Sequence, residues 1–142
     1  DISNLEGAGA AGGLGAGMIA FVEGHLRAGV DIVLDTVNLA EKLESADLVI
    51  TGEGSIDFQT VYNKAPVGVA RMAKARGIPT IGISGMLGEN YRIVHNHGID
   101  AALSIANGPI SLEESLQNAP SLISEAVEES LRLISVGMKL RN

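Results

Sequence analysis

The stretch Leu48-Val49-Ile50-Thr51-Gly52-Glu53-Gly54-Ser55-Ile56-Asp57-Phe58-Gln59-Thr60, continued by Asn63-Lys64-Ala65-Pro66, decides the fold. Leu48 to Thr51 is a short apolar run that stops at Gly52, which predicts a strand buried on both faces. A dense polar loop follows, and Pro66 suits the first turn of a helix. That helix ends in the sequence at Arg76, a cation favoured in a last turn, and at Gly77, suited to the left-handed position after it. Downstream, Thr80 to Ile83 reads as a second buried strand ending at Ser84-Gly85, Tyr91 to His97 as a helix stopped by Gly98, and Ala101 to Ile105 as a third strand. Ser111 with Glu114 caps a further helix, and Pro120 starts a long one with Leu122, Ile123, Ala126, Val127, Leu133 and Ile134 on its apolar face. Upstream, Asn38 with Glu41 reads as a capping box opening a short helix through Leu43, and Val30 to Leu34 as a β-branched strand. Leu14, Met18, Phe21, Val22 and Leu26 recur at helical spacing, with Gly29 ending that helix or the turn after it.

Strands alternating with helices require right-handed crossovers and a parallel sheet. The expected fold is therefore α/β: a doubly wound, mostly parallel sheet in three layers of the Rossmann or flavodoxin-like type. Residues 1–29 form a glycine-rich loop and helix, and residues 30–142 the α/β domain. In open α/β sheets ligands bind beyond the carboxyl ends of the strands, which points at Gly52 to Lys64 and Ser84 to Asn90.

Composition narrows the function. The 142 residues are 46% hydrophobic and 19% charged, with 10 Lys+Arg against 17 Asp+Glu and a formal net charge of −7. Such a chain buries a core and is not a disordered tail. Without a basic cluster, a nucleic-acid partner is not expected, because phosphate neutralisation supplies most of that affinity. No apolar run is long enough to span a bilayer. The absence of cysteine removes disulfides, thiolate metal sites and cysteine nucleophiles, and an intracellular location is expected. Because the chain opens Asp1-Ile2-Ser3-Asn4 straight into a glycine loop, it reads as a piece of a longer protein.

Two stretches could carry chemistry. Gly7-Ala8-Gly9-Ala10-Ala11-Gly12-Gly13-Leu14-Gly15-Ala16-Gly17 formally contains G-x-G-x-x-G, the dinucleotide fingerprint, but Asp1 to Glu6 supplies no preceding strand. Glycines leading into a helix can still offer free N–H groups to an anion, or simply allow close packing. In the second stretch, Asp57 or Glu53 could hold Mg²⁺ through oxygen ligands, or Asp57 could take a proton from an attacking hydroxyl. Lys64 could neutralise phosphate charge. The competing reading is a polar loop with Asp57 as turn former and Lys64 as a solvated charge. Elsewhere no Walker A loop occurs, Ser84 fails the nucleophile-elbow pattern, and His95 and His97 do not share a helical face.

The two motifs together, Gly7-Ala-Gly-Ala-Ala-Gly-Gly-Leu-Gly15 and Thr51-Gly-Glu-Gly54 with Asp57, Gln59-Thr60 and Lys64-Ala65-Pro66, resemble the bacterial glycerate kinase family. The likeness continues through Pro79 to Gly85 and His97-Gly98-Ile99-Asp100-Ala101. It implies ATP- and Mg²⁺-dependent transfer of phosphate to a hydroxyl of D-glycerate, with 2-phosphoglycerate the favoured product, in cytoplasmic breakdown of glyoxylate, glucarate or galactarate. It also implies a partner domain: family members are more than twice this length, have two α/β domains with the active site in the cleft between them, and resemble this chain only in their C-terminal part. The isolated chain is therefore expected to be a poor catalyst.

Carried over residue by residue, the resemblance makes Asp57 the metal ligand or general base, with Glu53 as a second metal ligand, and Lys64 the phosphate-charge residue. Thr51, Gly52, Glu53 and Gly54, with Gln59 and Thr60, would shape the strand-end wall of the cleft. Gly9, Gly12, Gly13 and Gly15 would let backbone approach phosphate or carboxylate. One departure is Asn63, where the family usually has Gly; Asn tolerates the left-handed conformation better than most residues. Two other classes stay open: an NAD-dependent oxidoreductase using the Gly7–Gly12 fingerprint, and a silent α/β interaction module that hides its apolar surface in a homo-oligomer.

Overall fold

A computed structural model describes residues 5, 7–62 and 64–140 of the chain; the Asp1-to-Asn4 opening and Asn63 lie outside them. Its centre is a parallel three-stranded sheet in the order β1-β2-β3, with β1 at Val49–Ile56, β2 at Thr80–Leu87 and β3 at Ala101–Ser104. The register runs from Val49 opposite Thr80 to Ile56 opposite Leu87, and from Ile81 opposite Ala101 to Ser84 opposite Ser104. β2, paired on both sides, is buried continuously from Thr80 to Ser84.

Both β1 and β2 run past the glycines that were expected to end them. A Cβ on Gly52 would stand 2.9 Å from the Ile83 carbonyl oxygen, and one on Gly85 2.8 Å from that of Gly54. These glycines mark close approach of two backbones rather than termination. β1 also alternates between half-buried and exposed positions instead of being buried on both faces. Its exposed positions, Ile50, Gly52 and Gly54, are alternate residues on one face, which no layer covers among the described residues.

Helix α4, Ala65–Lys74, crosses from β1 to β2 with a proline in its first turn and Arg71 and Lys74 in its last. Gly77 takes the left-handed conformation at φ 72°, and the Gly77 and Ile78 N–H groups donate to the Lys74 and Ala73 carbonyls. Arg76 lies beyond the helix and reaches back to donate to the Met72 carbonyl at 3.2 Å. Val67 and Ala70 pack with Ile56, Val94 and Ile99 into one core beneath the sheet. The Tyr91–His97 segment is a 3₁₀ helix stopped by Gly98 at φ 104°, as its glycine predicts. On the opposite face, Leu122 of α6 (Ala119–Leu140) packs on Ile81, Ile83 and Ile105. The preceding short helix, Leu112–Gln117, has the Ser111/Glu114 capping box in place. Helices on both faces of a parallel sheet bear out the three-layer α/β expectation.

The amino-terminal third differs from the sequence reading. Val30 to Leu34 is not a strand but part of the helix Gly29–Thr36, so Gly29 opens a helix rather than closing one. Tertiary packing overrides the β-branched propensity. Val30 and Leu34, one helical turn apart, close over Gly68 of α4, where a Cβ would come within 2.7 Å of Val30. Asp31 in the first turn pairs with Arg71 of α4. The next helix, Leu39–Lys42, forms without the expected capping box, since Asn38 is left-handed and its side chain makes no cap bond. The first helix, Ala10–Val22, is broken by positive φ at Ala11, Gly12 and Gly13 and ends at Glu23, short of Leu26. Among the described residues no helix is long and apolar enough to cross a membrane.

Candidate active site

The carboxyl end of β1 and the start of α4 bring Glu53 and Lys64 together. Lys64 still has extended backbone, φ −81° and ψ 155°, as the residue before the helix. Its Nζ lies 3.5 Å from Glu53 Oε1, with the two side chains 33% and 30% exposed. Partial shielding preserves more attraction than a fully solvated pair would keep. The other carboxylate oxygen, Glu53 Oε2, is buried with no hydrogen-bond partner among the described residues, and so is Ser55 Oγ two residues on.

The loop after β1 is held by its own side chains. Asp57 caps the 3₁₀ turn Phe58–Val61: the Gln59 N–H donates to Asp57 Oδ1 at 2.8 Å, and the Asp57 N–H donates to Thr60 Oγ1 at 3.0 Å. Thr60 is fully buried, so it positions Asp57 rather than facing a ligand. The β2 end closes over the same loop, with the Gly88 N–H donating to the Ile56 carbonyl and the Phe58 N–H to that of Glu89. Gly88 borders the carboxylate, because a Cβ there would stand 3.0 Å from Asp57 Cβ and 3.4 Å from Ser55 Oγ.

Thr51, Gly52, Glu53, Gly54, Asp57, Gln59, Thr60 and Lys64 thus share one end of β1 and its exit loop. The glycine segment stands apart. No hydrogen bond or ion pair among the described residues joins it to that loop. It folds on itself, with the Ala16 N–H donating to the Ala8 carbonyl and a Gly15 Cβ 2.7 Å from the Gly7 carbonyl oxygen. Close packing therefore explains Gly15. Gly9, Gly12 and Gly13 have open space where a Cβ would be. Among the described residues no strand enters the Gly7 loop, since the first is β1.

Ser84 is buried and donates to the Met86 carbonyl, and His95 Nδ1 lies 2.8 Å from the Ile99 carbonyl. Among the described residues no three His, Asp or Glu side chains converge as a metal cage. Two shallow concave patches lie away from the β1 exit, one between Leu34 and Glu41 and one around Leu43 and Arg76. With about a third of the Lys64 and Glu53 side chains exposed, the polar set at β1 is open to the surface of this chain. Sequence reading passed over Ser55 and Gly88, although both lie in the strand-end stretches it selected. A serine in a polar loop gives no signal until its burial is known.

Comparison with known proteins fixes the family. A family model described as the glycerate kinase family matches residues 1–135. The chain is 52% identical over 126 residues to a glycerate kinase of Halalkalibacterium halodurans, covering 89% of this chain and 33% of that protein. It is 41% identical over 139 residues to a glycerate 2-kinase of Escherichia coli K12, covering 98% of this chain and 36% of the relative. A crystal structure described as glycerate kinase 2 of Salmonella typhimurium LT2 superposes with a TM-score of 0.68 at 41% identity, covering 94% of this chain and 34% of that one. The chain spans about a third of the length of these relatives and corresponds to their C-terminal part. With the motifs in order, the parallel α/β sheet and these matches all in agreement, this chain belongs to the glycerate kinase family.

Proposed function

We propose that this chain forms one wall of the active site of a cytoplasmic, ATP-dependent glycerate kinase. The reaction moves the γ-phosphoryl group of ATP to a hydroxyl of D-glycerate, giving 2-phosphoglycerate in glyoxylate- or glucarate-type carbon metabolism. The observation that supports it most is the Lys64–Glu53 pair at the strand end, with one carboxylate oxygen buried and unpaired. Phosphoryl transfer depends on positioning and electrostatics. Lys64 brings a cation to the phosphate, while Glu53 holds its ammonium in place. Asp57, oriented by the Gln59 N–H, accepts the proton of the attacking hydroxyl.

The donor set also fits Mg²⁺. Mg²⁺ is commonly held by one or two carboxylates together with substrate phosphates and waters, and Glu53 and Asp57 are the carboxylates at this strand end. Bound there, the ion would neutralise charge on the transferring group. Gly9, Gly12 and Gly13 would supply backbone N–H groups to the phosphate or the glycerate carboxylate, from a segment (residues 1–29) near the interdomain region. Because the wall is open, catalysis needs the remaining two thirds of the family's length.

The test is ³¹P NMR of ATP, Mg²⁺ and D-glycerate with this chain, beside the same protein extended to the length of its relatives. A phosphoglycerate signal from the extended protein alone is expected, and its chemical shift assigns the hydroxyl. Silence from both would overturn glycerate as substrate. In the extended protein, Asp57→Asn is expected to lower turnover by about 10²-fold or more. Turnover within a few-fold of wild type would remove the proton-accepting role.

A further inference from the structure

Asp57 and Gly88 are the first residues beyond the last register pair of β1 and β2, Ile56 opposite Leu87. Both peptide planes that flank the Asp57 Cα are tied down. In the first, the Ile56 carbonyl accepts from the Gly88 N–H at 2.8 Å, and the Asp57 N–H donates to Thr60 Oγ1 at 3.0 Å. In the second, the Asp57 carbonyl accepts from the Thr60 N–H at 3.1 Å, and the Phe58 N–H donates to the Glu89 carbonyl at 3.1 Å. Because each peptide is planar, bonds on both planes fix the direction of the Asp57 Cβ. Gly88 and Glu89, at the β2 exit, supply one bond to each plane. Gly88 also packs on the side chain itself. Its φ lies outside the left-handed region, so no turn geometry requires a glycine there. What excludes a side chain is contact: a Cβ at position 88 would stand 3.0 Å from Asp57 Cβ, closer than to Ser55 Oγ at 3.4 Å or the Ile56 carbonyl oxygen at 3.7 Å. Carbon atoms at optimal separation lie about 3.5–4.0 Å apart, so an added methyl would push Asp57 aside.

We propose that Gly88 is a positioning residue for the kinase reaction: by packing without a side chain against Asp57, the β2 exit aims the carboxylate that takes the proton of the attacking hydroxyl. The inference rests on the reading of Asp57 as proton acceptor and adds the element that holds it in place. Proton transfer requires the acceptor within hydrogen-bond reach, about 2.6–3.2 Å, of the hydroxyl it serves. A shift of a few tenths of an ångström, the least that a Cβ at position 88 would force on its neighbour, is a large part of that range. Gly88 touches no reacting atom in this account and acts through Asp57 alone.

The experiment measures kcat and KM for ATP and D-glycerate in the protein extended to the length of its relatives. Wild type, Gly88→Ala, Asp57→Asn and the double variant are compared, with the melting temperature of each. Asparagine keeps the Cβ and shape of aspartate and cannot act as a base, so the packing effect of the methyl is the same in both backgrounds. Only its effect through the carboxylate differs. Gly88→Ala alone is expected to lower kcat by about tenfold with KM within about twofold of wild type, and beside Asp57→Asn to change kcat by less than about twofold. An equal fall in both backgrounds, an unchanged kcat, a change confined to KM, or loss of cooperative melting in Gly88→Ala makes the glycine a packing residue. Each of these overturns its role and leaves the reading of Asp57 standing. Asp57→Asn turnover within a few-fold of wild type, or an extended protein without kinase activity, overturns both.

Discussion

Lys64 reaches Glu53 because its backbone is still extended where α4 begins, so one residue sets both the helix start and the local charge. If Lys64 acts on the phosphate as proposed, replacing it by Ala is expected to lower turnover of the extended protein by about 10²-fold. Steady-state kinetics should show the fall in kcat, and a variant within a few-fold of wild type would count against the role. A second residue-scale prediction concerns Glu114. The backbone N–H and the hydroxyl of Ser111 both bond its carboxylate and hold its pKa below the ordinary value. A carboxylate depressed in the folded state stabilises above its unfolded pKa of roughly 4.3, and the contribution disappears as pH falls through the folded value. The Ser111 amide should therefore report by NMR a titration displaced below that of an ordinary glutamate, and Glu114→Gln should abolish the transition.

At the scale of elements, the strand glycines decide how closely β1 and β2 approach. Gly85→Ala places a Cβ 2.8 Å from a backbone carbonyl that cannot rotate away. A loss of about 1–3 kcal/mol is expected from the forced backbone shift, measured by urea denaturation. An unchanged midpoint would mean the sheet relaxes freely at this point. The same glycines show where sequence reading stopped short. Gly52 and Gly85 punctuate the chain like strand ends, and only the partner backbone reveals them as contact points. The Val30-to-Leu34 segment misled for a related reason: its β-branched residues satisfy strand propensity, whereas Gly68, more than thirty positions along, selects the helix. Most elements whose signals are local were legible, the Asn38/Glu41 capping box being the exception because Asn38 is left-handed. Pro66 and Gly77 around α4, Gly98 after the 3₁₀ helix, and Ser111 with Glu114 all act within one turn. For the candidate site, the charged residue types were visible in the sequence. Which oxygens are buried and unpaired was not, because burial depends on the whole fold.

Over the whole molecule, packing is uneven. The cores of the sheet lie between Leu43 and Leu122, whereas Leu14, Met18, Phe21 and Val22 of the first helix are exposed, Phe21 by 88%. In α6, Leu122 and Ser130 are the buried residues, and Leu133, Val136, Met138 and Leu140 face outward. Local stability follows burial. Hydrogen exchange should therefore show strong protection through Ser130 and progressively faster exchange toward Leu140. Uniform protection along the helix would require a partner surface over its second half. The last consequence belongs to Asp100. Its N–H donates to the Thr80 carbonyl at 2.8 Å, and its carboxylate accepts from the Thr80 N–H at 2.7 Å, clasping β2 one residue before β3 begins. A strand of four residues has few ladder bonds with which to resist slippage, and a slip of one residue would turn Leu103 from the core side to the other. The clasp works as a frame mark, fixing the alignment of the shortest strand before its own ladder can.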